Sequence, residues 1–509
     1  MFKAGTQQRF RLYRVSMNAH ALMLALFICT HNIIYHWRED SMSTKSTSIF
    51  DFNGKPDFMT ALPLSFQHVL AMIVGNITPA LIISGTVNAL AAKTGIASQG
   101  ADAATLVQSA MFIAAVATLL QLFPIAIAGS RLPVIMGVSF AYIPTMSAIG
   151  SQYGLPGILG AQIIGGVIGI IVGIFIKPLR KFFPPIVAGT VVMSIGLSLY
   201  TTAINYIGGG AGLKATAPEL FGAPNQLIVG FATLLTVLIV GQFGKGIFKL
   251  SSILIGILVG YAIALAFDMV TFTAIATKPW FALPALGKFP IEFHPAAIVS
   301  MAVIFVVNSI QAVGDLSATT IGGMNREVKD TELRGGIIAS NLSSIVGAFF
   351  GGLPVATYSQ NVGIVSTTKV VSRVVFMFAA IFVLIAGFIP KFGALMTTIP
   401  QAVIGGATIG VFAIITMSGI RLITQQEMTT RNTTIVGLSL ALGMGITAVP
   451  QFLANYPSWV SMVFGSSPVV IATIVAFTLN IVLPKKSLAD EQRERDEIES
   501  KRELKASGK

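Results

Sequence analysis

Leu132-Pro133-Val134-Ile135-Met136-Gly137-Val138-Ser139-Phe140 and Leu353-Pro354-Val355-Ala356-Thr357-Tyr358-Ser359-Gln360-Asn361 decide how this chain is read. Both are apolar, yet Pro and β-branched residues at their starts are poor material for one uninterrupted helix. Around them, apolar stretches long enough to cross ~30 Å of hydrocarbon recur. They lie near 62–83, 103–123, 133–150, 155–176, 185–206, 226–242, 249–268, 297–322, 335–350, 353–368, 372–390, 396–418, 431–449 and 465–483. The expectation is an all-α polytopic membrane protein of fourteen spans, the third and tenth short and broken.

Composition agrees. The chain has 509 residues, 54% of them apolar, and only 10% charged. Soluble domains carry about 25% charge. Residues 1–60 and 485–509 hold 26 of the 53 charged side chains, so the long middle cannot clothe a soluble surface. Nucleic-acid binding, collagen-like fibres and intrinsic disorder are excluded for the body of the chain. The formal charge of +13 is read as Lys and Arg gathered in cytoplasmic loops. The single cysteine, Cys29, excludes an intrachain disulfide and a cysteine-based metal site.

Loop charge sets the orientation. With the N-terminus cytoplasmic, inner loops carry Arg131, Lys177, Arg180, Lys181, Lys245, Lys249, Arg326, Lys329, Arg334, Lys369, Arg373, Arg421 and Arg431. Outer loops carry Lys93, Lys214, Lys278, Lys288 and Lys391. The excess predicts both termini in the cytoplasm of a cell membrane.

A weak internal repeat runs along the chain. Leu132-Pro133-Val134 recurs as Leu353-Pro354-Val355, offset by 221. Pro184 and Gly189 recur as Pro400 and Gly405, offset by 216, and Gly75-Asn76 aligns with Gly314-Asp315. Each match joins spans seven apart, which inverts the second half relative to the first. Inverted repeats with broken helices meeting at the midplane are a transporter architecture. The binding site is expected where the broken spans meet.

At the N-terminus, arginines precede a short apolar run from Ala21 to Cys29 that resembles a signal-peptide core without a cleavage site. Met42 opens a polar N-terminus, and a mis-called start before it is the favoured reading. The tail beyond Pro484, dense in alternating charge, is read as a solvated, partly helical extension.

Ionisable groups inside spans are costly and point to function. Only His68 and Asp315 fall well inside, in the first and eighth spans that the repeat makes equivalent. The structural alternative is that His68 bonds a carbonyl and Asp315 caps a broken helix. Gln67, Asn76, Ser139, Asn308, Gln311, Gln360 and Asn361 are polar positions inside spans. Interhelical bonding suits Gln67, Asn76 and Asn308. Gln360-Asn361, at a broken span, reads as a site, because Gln both donates and accepts and so matches the edge of a heterocycle. Phe140 and Tyr358 are candidates to stack on a flat ligand, although most membrane aromatics are packing or belt residues. Walker A and HExxH motifs are absent, so neither an ATP-driven pump nor a zinc protease is indicated, and no enzyme constellation or cofactor is expected.

Gln360-Asn361-Val362-Gly363-Ile364-Val365-Ser366-Thr367-Thr368-Lys369 resembles the signature of the nucleobase–ascorbate transporter family: Gln, Asn, any, Gly, four of any kind, Thr, then a basic residue or Gly. Gln67-His68 and Ala312-Val313-Gly314-Asp315-Leu316-Ser317-Ala318-Thr319 also look like that family, over roughly residues 50–484. The resemblance implies a 7+7 inverted repeat divided into two parts. A core would hold residues 61–176 (spans 1–4) and 297–391 (spans 8–11). A gate would hold 177–270 and 396–484, between a cytoplasmic segment 1–60 and a charged tail 485–509. Members of the family import nucleobases or ascorbate, in bacteria usually with protons, as homodimers joined through the gate. Gln at the signature's head resembles xanthine and urate carriers. By that analogy Gln360, Gln311, Asn361, Ser139 and Phe140 bind substrate, while Asp315 and His68 are candidates for proton coupling. Two positions depart from the family: its eighth-span substrate carboxylate is Gln311 here, and a ninth-span carboxylate common in xanthine carriers is Ser340. The expected partners are a small nucleobase, the proton, lipid and a second copy of the chain. Uracil transport, or an anion carrier of sulfate type on the same architecture, is the alternative.

Overall fold

The computed structural model describes residues 47–179, 182–284, 286–465, 467–485 and 487–506. The N-terminal readings up to Met42, and the loop cations Arg180 and Lys181, lie outside the described residues.

The first half runs through α1 (Phe58–Thr94), α2 (Ala103–Leu122), β1 (Met136–Val138), a 3-10 turn (Phe140–Tyr142) and α3 (Ile143–Ile174), then α4 (Pro185–Ile207), α5 (Pro224–Phe243) and α6 (Ser252–Ala266). The second half runs through α7 (Pro295–Met324), α8 (Asp330–Phe349), β2 (Val355–Thr357), α9 (Ser359–Thr368), α10 (Arg373–Gly387) and α11 (Pro390–Thr397). It ends with α12 (Gln401–Ile423), α13 (Thr430–Ala448), α14 (Pro468–Val482) and the charged tail helix α15 (Leu488–Ala506). Shorter turns join these elements.

Among the described residues, seven helices are long and apolar enough to cross a membrane, or eight if α10 and α11, bent by 80°, count as one. The sequence expectation of fourteen also counts elements that are shorter, broken or less apolar than these. The third and fourth stretches are two helices joined end to end within α3 at Gly154, whose backbone is not helical (φ 66°, ψ −165°), ahead of Pro156. The third and tenth begin as strand, where Pro and β-branched residues disfavour helix. Finally, α6 and α14 are only 15 residues each.

The helices pack into two groups. α1, α2 and α3 pack with α7, α8, α9 and α10, while α4, α5 and α6 pack with α12, α13 and α14. In the second group α4 and α12 are in backbone contact, and their contacts are reciprocal. A Cβ on Gly189 would meet the Gly419 carbonyl and Ile423, and one on Gly405 would meet the Ala203 carbonyl and Ile207. Residues 203 and 207 plus the offset of 216 give 419 and 423, so the spacing read from Pro184 and Pro400 is also the spacing of the packing. Small residues of this kind let helix backbones approach closely in a membrane.

Candidate functional site

The two broken stretches meet. β1 and β2 pair antiparallel, with Met136 opposite Thr357, Gly137 opposite Ala356 and Val138 opposite Val355. The ladder is extended at both ends, where Tyr358 N–H donates to Ile135 O at 3.0 Å and Ser139 N–H to Pro354 O at 3.1 Å. The centre of the pair matches Gly137 with Ala356, an offset of 219. The Leu-Pro-Val match at 221 found the right segments but is two residues out of register.

Backbone groups this deep need partners, because water is scarce. The surrounding helices supply them in matched fashion. Thr118 on α2 donates to Ala114 O at 2.8 Å and accepts Met136 N–H, the first amide of β1, at 3.0 Å. Ser344 on α8 donates to Ser340 O at 2.9 Å and accepts Val355 N–H, the first amide of β2, at 3.1 Å. Asn76 on α1 accepts Val138 N–H at 2.8 Å and donates to Ala110 O at 3.0 Å, which bears out its reading as an interhelical bond. Asp315, its partner in the repeat, accepts the hydroxyls of Thr357 at 2.6 Å and Ser359 at 2.7 Å. Asp315 thus ties α7 to the end of β2 and the start of α9. The carboxylate is buried and has no cationic partner among the described residues.

α9 starts at Ser359, so Ser359, Gln360 and Asn361 form its first turn, where backbone N–H groups lack helical acceptors. Asn361 is buried, and its side-chain amide donates both to His68 Nδ1 and to His68 O, each at 3.1 Å. The bond to the His68 carbonyl fixes the amide nitrogen as donor, so Nδ1 is the acceptor and a neutral His68 carries its proton on Nε2. The His68 ring also rests on Phe376, with centroids 4.5 Å apart. Gln360 is half-buried and makes no side-chain hydrogen bond among the described residues; Gln311, one turn before Asp315 on α7, is the same. Two amide side chains are therefore left with their donors and acceptors unspent beside the broken helix.

Space lies next to them. A Cβ on Gly363 or on Gly314 would meet nothing within 4 Å. Ser359, Gly363 and Thr367 form an exposed stripe on α9, and Gly314, Ala318 and Ile321 one on α7. Gly363 lies in the middle of the half-helix and opens room beside it.

The remaining candidates are more enclosed. Ser139 is buried and accepts Ala141 N–H at 3.2 Å, which starts the 3-10 turn. Phe140 is 8% exposed and meets Phe412 of α12 edge-on at 5.3 Å, a contact between the two helix groups. Tyr358 donates to Val138 O at 2.8 Å and covers Gly137, where a Cβ would lie 2.5 Å from its Cζ. Its ring holds the strand crossing together. Ser340 donates to Val355 O at 3.0 Å, so it too braces β2. Lys369 takes a left-handed conformation after α9 and donates to the Gly322 carbonyl at the end of α7.

Thr118, Ser344, Thr357 and Ser359 were not singled out from sequence. Isolated hydroxyls in apolar helices commonly bond back to their own helix. Only the strand crossing shows which of them also serve another element.

Comparison with known proteins places this arrangement. The Xan_ur_permease family model, described as Permease family, matches residues 59–452. The chain belongs to this permease family. It is 33% identical over 425 residues to the uric acid permease PucK of Bacillus subtilis, covering 83% of this chain and 95% of that protein. It is 33% identical over 452 residues to the xanthine permease XanQ of Escherichia coli (strain K12), covering 86% and 94%. Among solved structures, the transmembrane domain of the cyanobacterial bicarbonate transporter BicA matches with a TM-score of 0.51 at 13% identity, over 84% of this chain and 98% of that one. At that identity the likeness is one of fold. The permease is a multi-pass membrane transporter and not an enzyme.

Proposed function

We propose that this permease imports an oxidised purine, xanthine or uric acid first and uracil next, across the cytoplasmic membrane. The observation that carries the reading is the pair of unspent amides, Gln360 at the head of α9 and Gln311 on α7, beside an open space. A purine dione presents alternating N–H and C=O groups along its edge, and a Gln amide meets one of each. The names of PucK and XanQ support the same class of substrate. Asn361, held by His68, sets the first turn of α9. Ser139 and Phe140 close the side facing the second helix group.

Proton symport rests on Asp315. As a carboxylate it accepts two hydroxyls. Once protonated it becomes a donor, and either Thr357 or Ser359 must turn to accept. A proton there resets the joint between β2 and α9, one residue from Gln360. His68 is the less suited carrier, since a proton on Nδ1 would face the Asn361 amide donor. The group of α1–α3 and α7–α10 would act as core and rock against the gate of α4–α6 and α12–α14, in a fold of fourteen spans counting the short and broken ones, and so carry the site across the membrane. Both termini would be cytoplasmic, and two copies would join through the gate.

The test is uptake of labelled xanthine into transporter-deficient cells, with unlabelled urate, uracil, guanine, ascorbate and sulfate as competitors. Saturable uptake blocked by urate and abolished by an uncoupler is expected. Uptake indifferent to the uncoupler would sink proton symport. Competition by sulfate but not urate would favour an anion carrier instead.

A further inference from the structure

A pocket lined by loop cations, and by none of the candidate site residues above, carries a separate reading. It is a pocket of about 420 Å³ between the loop after α2 and the first turn of α8. Its shape is set by backbone. Gly129 N–H donates to Gly335 O and Arg131 N–H to Gln121 O, both at 2.9 Å. The Gln121 side chain ties the two walls, accepting Ser130 N–H at 3.1 Å and donating to Gly336 O at 2.9 Å.

Arg131, Lys329 and Arg334 line this pocket, are exposed, and form no ion pair among the described residues. The acids nearby are already engaged. Glu332 accepts from both terminal nitrogens of the Arg326 guanidinium at 2.6 and 2.9 Å and accepts Lys329 N–H at 2.9 Å. Asp330 pairs with Lys177 at 3.1 Å. Three positive charges are thus left uncompensated around one cavity. Ser130 belongs to the wall, is 1% exposed, and its hydroxyl has no partner among the described residues. The free N–H groups of the first turn of α8 add to the attraction for an anion. On the apolar side the wall is Pro124 and Ile127, the latter 57% exposed.

We infer that this pocket binds the phosphate of an anionic phospholipid headgroup. Cations select the phosphate, and the Pro124–Ile127 lip suits the start of the acyl region. A free phosphate shares the headgroup chemistry but has no use for that lip. A phosphate held here would clamp the loop leading into β1 to α8, whose Ser344 anchors β2.

The test uses the full chain purified in neutral detergent. Its thermal midpoint is read with phosphatidylglycerol, phosphatidylcholine or inorganic phosphate added. Variants are Arg131→Gln/Arg334→Gln, Lys329→Gln alone should the double variant fold poorly, and Lys245→Gln/Lys249→Gln as a control on another loop. Phosphatidylglycerol is expected to raise the midpoint of the wild type and the control by several degrees, phosphatidylcholine to leave it in place, and the pocket variants to lose most of the rise. A rise with inorganic phosphate alone, lost in the same variants, would keep the anion site but overturn the lipid as its occupant. An equal rise in wild type and pocket variants, or none in the wild type, would overturn the site.

Discussion

Asn76 and Asp315 stand at matched positions on α1 and α7, and each holds one of the two short strands. Asn76 accepts the Val138 amide at 2.8 Å, and Asp315 accepts the Thr357 hydroxyl at 2.6 Å. The repeat thus keeps the position and changes the chemistry: a neutral amide on one side, an ionisable group on the other. That asymmetry separates two substitutions. Asn76→Ala strands the buried Val138 N–H and is expected to cost about 1–3 kcal/mol, seen as a lower thermal midpoint in detergent. Asp315→Asn keeps an acceptor for one hydroxyl. It is expected to fold, to exchange substrate across the membrane, and to lose accumulation driven by an imposed pH gradient. Gradient-driven accumulation that survives Asp315→Asn would remove Asp315 from coupling.

Two glycines give a contrast between packing and passage. Gly137→Ala drives a methyl into the Tyr358 ring, and overpacking of this kind costs about 1–3 kcal/mol. Gly363→Ala meets nothing within 4 Å and removes a helix-interior glycine, so stability should hold or rise by up to about 1 kcal/mol. Uptake should nonetheless fall, because the new methyl narrows the space beside Gln360. Thermal midpoints and uptake rates of the two variants check both statements; a Gly363→Ala carrier with full uptake would mean the space is not a passage.

The bond between His68 and Asn361 predicts coupling between them. His68→Leu and Asn361→Ala should each weaken xanthine binding, and the double variant should be little worse than the worse single one. A double-mutant cycle with an interaction of about 0.5–3 kcal/mol is expected for residues in direct contact. Strict additivity would contradict it.

Asp102 caps α2 and pairs with Lys278 at 2.9 Å. Burial pushes its carboxyl up, but hydrogen bonds from Thr105 and Lys278 and the charge of Lys278 outweigh this and hold it below the ordinary 3.8. A lowered value stabilises the folded state above that pH and is lost as pH falls below it. Wild type should therefore exceed Asp102→Asn in thermal midpoint at pH 7, with the gap narrowing below pH 3.8. A gap that widens on acidification would contradict the sign.

Much of the architecture is legible in sequence because hydrocarbon leaves few choices. Apolar length marks the helices, and Pro with β-branched residues marks the two places where helix fails. Gln360-Asn361 and the Gly314-Asp315 pair point to the candidate site through the cost of burying polar groups. Register is less legible. The Leu-Pro-Val match misplaces the strand pair by two residues, since the pairing is decided by Thr118 and Ser344, hydroxyls at unmatched spacings. Tyr358 reads in sequence as either a stacking or a packing aromatic; its hydroxyl finds the Val138 carbonyl and its ring packs on Gly137. The basic residue closing the signature acquires a physical role only in three dimensions, where Lys369 bonds the end of α7.

Equilibrium binding of labelled xanthine to purified wild type, Gln360→Ala and Gln360→Asn tests the central claim most directly. Loss of a bidentate amide contact predicts that Gln360→Ala binds at least about tenfold more weakly while its thermal midpoint stays near wild type. The shorter Gln360→Asn side chain should recover little of that loss. Unchanged affinity in a folded Gln360→Ala protein would contradict the assignment of Gln360 to the base.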